Sequence, residues 1–418
     1  MVRPFLPDAE KLAAVRAELP ATAAGIYLDT GTAGPLPRET TAAMAEIADM
    51  ELAVGRAHPD LHAETVQRMA EARAGVAAIL GADVDAVALT HATTDGINLA
   101  AWGLDWRRGD RVVTTNVEHA GGLGPLRALA ERFGVELASV DVADGEDDER
   151  TVAAFERALA PATRLVLVSH VAWSTGAVLP IGRIAEIAHA RGALVVVDGA
   201  QAAGAIRVNL TGSTPDAYAI PAHKWLLGPE GMGALWVNPS AADRLHPSVG
   251  GAYSFEADDP EALAGIGSPR RWPDARRFEA SHYHRPSIVG FARSCSWLSM
   301  YVGLDWIHDR GSALGRRAAN DLARVPGVRV LTPRHAMAGL VSFRIAGWPA
   351  ERALDELGGR VFAIARAIPD LDALRISVGF FNTEAELDRF IEAVSELARH
   401  TPETLPPRRL LTILGAQA

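Results

Sequence analysis

Between about residues 75 and 240 the chain alternates short apolar runs with segments of helical period. The runs AVALT (86–90), RVVTT (111–115), VELASVD (135–141), RLVLVS (164–169), ALVVVD (193–198) and AYAI (217–220) read as strands, and GALWVN (233–238) closes the series. Between them, DGINLAAWGL (95–104), GPLRALAERFG (124–134) and IGRIAEIAHARG (181–192) place apolar residues at the three-and-four spacing of a helix with one buried face. Strands and helices in this order predict an α/β fold, with a mainly parallel seven-stranded sheet sandwiched by helices. Ligands of such sheets bind beyond the carboxyl ends of the strands, so the chemistry is sought there.

After about residue 255 the texture changes. EADDPEALAGIGSPRRWPDARR (256–277) is polar, rich in Pro and Gly, and reads as a long excursion or lid. A helical stretch follows at 287–307. Smaller β and α elements then repeat: GLVSFRIAG (339–347), ALRISVG (373–379) and the amphipathic TEAELDRFIEAVSELAR (383–399). A chain of 418 residues exceeds one ordinary core. The expected division is a large domain over 26–297 and a smaller α/β domain over 298–418 together with 1–25.

A net charge of −10 argues against nucleic acid as a partner, because phosphate binding needs a basic surface. The apolar runs fall well short of the ~20 residues of a membrane helix, so no membrane is expected. MVRPFLPDAEKLAAV lacks the pattern of a secretory signal, and a cytoplasmic location is expected. The single cysteine, Cys295, excludes a disulfide within the chain and any cysteine-rich metal site. His58 with His62, and His282 with His284, lack a third ligand at metal spacing, so no metal is expected.

The basic residues sharpen the picture. Of 41 Lys plus Arg, only Lys11 and Lys224 are lysines. Arginine replaces lysine in a salt bridge but not where a deprotonatable amine is required. Lys11 sits in an amphipathic segment and reads as solvated, whereas Lys224 stands in turn chemistry just beyond a strand, in AYAIPAHKWLLGPEGMG. Asp198 ends a wholly apolar strand in VVVDGAQAAG. It is either a buried helix cap or the partner of a buried cationic nitrogen. Thr93 and Thr94 open a helix after AVALT, and serve either as caps or as a phosphate site. His119, past RVVTT, and His223, beside Lys224, are either core-edge histidines or groups that stack and move protons.

These residues, in this order, resemble the class V aminotransferase family of pyridoxal-phosphate (PLP) enzymes of fold type I. That family includes cysteine desulfurases, isopenicillin N epimerase and cysteine C–S lyases. The matching segments include YLDTGTAGPLP (27–37), EHAGG (118–122), SHVAWSTGAVLP (169–180), VVVDGAQA (195–202), HKWLLGPEGMG (223–233), RFEAS (277–281) and LRISVGFFNTEAELD (374–388). The tryptophan in HVAWSTG is most similar to the epimerase and C–S lyase branch. The resemblance implies that Lys224 holds PLP as a Schiff base and shuttles the substrate's Cα proton. By the same resemblance Asp198 pairs with the pyridine nitrogen, Gln201 bonds the ring hydroxyl and His119 stacks on the ring. Thr93, Thr94 and His223 hold the phosphate, and His282 reaches the phosphate of a neighbouring subunit in a homodimer. Arg375 clamps the carboxylate of an amino-acid substrate, a task its planar fork suits, with Trp173 beside it.

Departures from the family pattern shape the expected reaction. Desulfurases carry a nucleophilic cysteine in a small-domain loop, and GGRVFAIARAIPDLDALR has none. A phosphate-binding serine before the HK pair corresponds to Pro221. The sequence therefore predicts β-elimination from a sulfur-containing amino acid, as in a C–S lyase, and not a persulfide-type cysteine desulfurase. An epimerase or aminotransferase is the alternative, and a non-catalytic binding protein of the same fold the remaining one.

Overall fold

The computed structural model describes residues 8–142, 147–212, 214–256 and 269–408. Of the excursion expected at 256–277, residues 257–268 lie outside the described residues.

All seven expected strands form one sheet. They are Val87–Thr90, Arg111–Thr115, Glu136–Val140, Thr163–Ser169, Leu194–Asp198, Ala217–Pro221 and Gly233–Val237. Their spatial order by first residue is 87, 233, 217, 194, 163, 111, 136. Gly233–Val237 runs antiparallel to both its neighbours and the other pairings are parallel. Both faces are covered, which explains why the central strands are uniformly apolar rather than alternating. Val195 and Val197 pack into one core with Val166, Val168 and Tyr218. Leu194 and Val196 pack into the opposite one with Leu165 and Leu167.

A third core gathers a four-stranded antiparallel sheet against helices Leu304–Arg324, Ala350–Val361 and Glu384–Ala398. Its strands are Val328–Val330, Leu340–Ile345, Arg366–Ile368 and Ala373–Ser377. Helix Glu384–Ala398 starts with a reciprocal cap, in which Thr383 Oγ1 accepts from the Glu386 amide while the Glu386 carboxylate accepts from the Thr383 amide. The packing does not follow the expected 297/298 division residue for residue. The helical run 285–302 crosses it, and Ile26 and Leu28 join the third core.

Lys11 differs from its expected solvated place. It is buried, with Nζ 4.7 Å from the centroid of the Trp306 ring. A long aliphatic stem with a cationic tip gains from both the cover and the ring face.

Candidate active site

The carboxyl ends of the parallel strands open onto a cleft of about 260 Å³. Asp198 is the last residue of its strand and 6% exposed. Its Oδ1 accepts from the Ala200 amide at 2.8 Å, while Oδ2 has no protein donor among the described residues. Burial raises its carboxyl, and Lys224 opposes that rise. Gln201, three residues on, is fixed at both ends. Its Nε2 donates to the Gly31 carbonyl at 2.7 Å and its Oε1 accepts from Trp225 Nε1 at 2.8 Å. One amide hydrogen remains to donate.

Lys224 follows strand Ala217–Pro221 in a tight turn, with the Leu227 amide donating to the Lys224 carbonyl at 3.0 Å. Leu227 holds a left-handed φ of 52°, a conformation costing a leucine about 1–3 kcal/mol. The turn is pinned from outside by the Gly34 amide, which donates to the His223 carbonyl at 2.7 Å. A Cβ at Gly34 would lie 2.2 Å from the Lys224 carbonyl oxygen, so only glycine permits this approach. Burial lowers the Lys224 amine to about 8; Asp198 draws it back up, and Arg375 and Arg366 push it further down. An amine so placed loses its proton far more readily than a surface lysine.

His119 caps helix Ala120–Phe133, its Nδ1 accepting from the Gly121 amide at 3.0 Å. That bond leaves Nε2 as the protonated nitrogen of the neutral ring. Burial first, and Lys224 second, lower its pKa. The ring meets Trp173 edge-on at 5.2 Å. Thr93 and Thr94 open helix Thr93–Ala101, whose N-cap, Ala92, supplies no side-chain acceptor. Thr93 Oγ1 is buried without a partner, and the first amides of the helix face the cleft's end without a cap. His223 lines the same cleft.

The opposite wall comes from the small sheet. Arg375 is 1% exposed; Nη1 donates to the Trp173 carbonyl at 2.9 Å, and Nη2 to Asp29 Oδ1 at 3.1 Å and Thr32 Oγ1 at 3.0 Å. Its Nε has no acceptor. Arg366 lies directly across from Arg375 in the register of the small sheet. It donates to Thr32 Oγ1 at 3.1 Å and its guanidinium stands 5.8 Å from the Trp173 centroid. No carboxylate pairs with Arg366 among the described residues.

The structure therefore brings Lys224, Asp198, His119, Gln201, Thr93, Thr94, His223, Trp173 and Arg375 into one cleft. His282 is not among them. It is exposed on the surface, edge-on to Tyr253 at 5.2 Å. Sequence reading missed Arg366, Thr32 and Asp29. The run FAIARAI carries no motif, and the place of Arg366 is visible only once the two strands pair. No group of metal ligands occurs among the described residues.

PLP fits these residues on structural grounds. A protonated pyridine nitrogen would meet the free Asp198 Oδ2, a phosphate the orphaned Thr93 hydroxyl and the uncapped helix start, and an aldehyde the depressed Lys224 amine.

The model of the class V aminotransferase family matches residues 26–390, and the chain belongs to that family. It is 31% identical over 392 residues to isopenicillin N epimerase of Streptomyces clavuligerus, covering 89% of this chain and 94% of that protein. It is 28% identical over 403 residues to a probable cysteine desulfurase of Methanothermobacter thermautotrophicus, covering 92% and 97%. Among solved structures, a complex of the cystine C–S lyase C-DES with its reaction product, cysteine persulfide, aligns with a TM-score of 0.83 at 26% identity, over 90% of this chain and 99% of that one. A C-DES mutant with glycine covalently linked to the PLP cofactor aligns with a TM-score of 0.84 at 26% identity, over 91% and 98%. The expected family, the type I α/β fold and a PLP-dependent enzyme all agree with these findings.

The expected reaction is corrected by them. The missing loop cysteine argued against a persulfide-type cysteine desulfurase, yet relatives from several organisms are named cysteine desulfurase, certain or probable. The exclusion fails, and the elimination reaction inferred from it loses its main support. The physical reason is that a sulfur-accepting thiol need not belong to the chain that cleaves the carbon–sulfur bond.

Proposed function

We propose that the protein is a PLP enzyme that cleaves the Cβ–S bond of cysteine or a close derivative, passing sulfur to an acceptor from outside the chain. The observation that carries the reading is the placement of a half-buried amine at about 8, Lys224, between a buried carboxylate with one free oxygen and a pair of arginines. The sulfur substrate is supported by relatives named cysteine desulfurase and by the likeness to a cystine C–S lyase. Cys295 is no acceptor here: it is fully buried, its side chain packs where a Cβ on Gly75 would collide at 2.7 Å, and burial pushes its thiol up.

When bound, PLP supplies an electron sink for the charge left at Cα. The residues of the chain do the rest. Asp198 Oδ2 would accept from the ring nitrogen and so keep the ring electron-poor. The spare Gln201 amide hydrogen would donate to the ring hydroxyl, and the neutral His119 ring would pack against the cofactor. Thr93, Thr94 and His223 hold the phosphate at the helix start. Arg375, oriented by Asp29 and Thr32, would offer its remaining Nη1 hydrogen to the substrate carboxylate, with Arg366 beside it. Lys224 would hold the cofactor, and its Nζ is the group that would take the Cα proton.

A homodimer belongs to the same proposal, with His282 serving the partner's site. Supporting it, Met50, Leu52, Val54 and Val66 leave an apolar surface on helices Arg38–Val54 and Pro59–Leu80, Leu52 being 85% exposed. So does a cytoplasmic location. No helix among the described residues is long and apolar enough to cross a membrane.

The test is incubation with cysteine, dithiothreitol serving as thiol acceptor, and separately with cystine, to which dithiothreitol is added only after the enzyme has been removed. Sulfide is expected together with alanine or pyruvate, alanine marking desulfuration and pyruvate elimination. Exchange and inversion at Cα with no sulfide from either substrate would overturn the reading in favour of epimerisation.

A further inference from the structure

Glu118 precedes His119 and is 6% exposed, yet the reaction above makes no use of it. Its Oε1 accepts from Thr115 Oγ1 at 2.7 Å and from the Ser169 amide at 2.9 Å, and its Oε2 accepts from Ser169 Oγ at 2.5 Å. Three donors aimed at two oxygens suit the ionised carboxylate, which can only accept. Ser169 pairs in register with Asp198, and its strand lies between Arg111–Thr115 and Leu194–Asp198. Two buried carboxyls thus sit at the ends of strands two apart, with Ser169 between them. Burial raises Glu118 to about 7, and the Asp198 charge adds to the rise. The groups of the chain that favour the charged form of Asp198 include Lys224 and His119, and neither forms an ion pair with it. A further cation arriving at Asp198 favours the charged form of both carboxyls.

We propose that Glu118 is a positioning residue for the cofactor's ring nitrogen: lying ionised behind Ser169, it sets a second negative charge beside Asp198, so that a nitrogen donating to Asp198 keeps its proton. The proposal rests on the PLP reading given above. It assigns a second buried carboxylate to the electronics of the ring, beyond the one that touches it.

The experiment reconstitutes the enzyme with PLP carrying 15N in the ring and follows the nitrogen's chemical shift against pH. In Glu118→Gln, which keeps the side chain's size, the pH at which the nitrogen loses its proton is expected to fall by about one unit, the scale of one nearby charge at a buried site. Glu118→Asp, which restores the charge, is expected to return the midpoint towards wild type. Thr115→Val removes one donor to Glu118 and is expected to shift the midpoint the same way by less. A wild-type midpoint in Glu118→Gln, or in Thr115→Val should the first variant not fold, overturns the proposal, since a packing role would leave the ring's proton where it was. If instead the wild-type protein holds no borohydride-reducible cofactor on Lys224, the reading beneath the proposal has failed.

Discussion

Where the large sheet meets the cleft, functional side chains stand at strand ends; where the small sheet meets it, they rise from the strands themselves. Asp198 ends, and Lys224 and His119 follow, a strand that is all or nearly all buried, and desolvation is the largest influence on the acidity of all three. Arg375 and Arg366 project side by side from paired antiparallel strands, and Arg375 is held by an ion pair with Asp29 and bonds to Thr32 and the Trp173 carbonyl. The two walls therefore do different work. Burial without an ion pair leaves groups ready to gain or lose a proton, whereas burial with an ion pair keeps a guanidinium charged and aimed.

If that division holds, damage to the first wall removes chemistry and damage to the second removes binding. Lys224→Ala has the largest expected effect: loss of the borohydride-reducible cofactor and of turnover, with the circular dichroism of the fold retained because this side chain lines a cleft rather than a core. A reducible adduct on another residue would break the comparison at its first term. Arg375→Lys keeps the charge but loses the fork and its three anchored bonds. The expected cost is about 1.5–3 kcal/mol, or roughly 10- to 150-fold in kcat/KM, carried mainly by KM. Arg366→Ala should act in the same direction by about 10-fold, because its guanidinium is only half-buried and anchored by one hydroxyl. An effect confined to kcat in either variant would place the arginines with the chemistry instead.

The same contrast explains what is legible in the sequence. The central strands Leu194–Asp198 and Ala217–Pro221 are nearly continuous apolar runs, so a polar residue at or just past the end stands out: Asp198 after LVVV and Lys224 after AYAIP are both conspicuous in the bare sequence. Arg375 is found by resemblance, through LRISVG. Arg366 lies on an edge strand of three residues, too short for any period to show, and its meaning depends on register with a strand nine residues away. Lys11 reads as solvated because a helix heptad does not reveal that Trp306, nearly three hundred residues on, covers it. His282 is expected at a phosphate and lies on the surface of this chain, a placement that only a second copy can test.

The smallest effect concerns the lysine before any cofactor reaches it. In the folded chain its amine titrates near 8, against 10.5 in an unstructured one. Between those values the unfolded chain binds more protons than the folded one, so stability rises with pH across this window. Below about 8 both states are protonated, and the full cost of a charged amine in the cleft is present. Above about 10.5 both are neutral, and the cost is gone. Lys224→Met keeps the length of the side chain without the charge. In cofactor-free protein it should therefore be more stable than wild type at pH 7 by about 1 kcal/mol, a figure reduced for the water that reaches the cleft. The gain should shrink as pH rises through 8 towards 10. Urea melts of the two proteins at pH 7, 8.5 and 10 measure the difference directly. A gain that stayed constant across the three would mean that methionine merely packs better, and that the first wall does not lower the pKa of its lysine by burial.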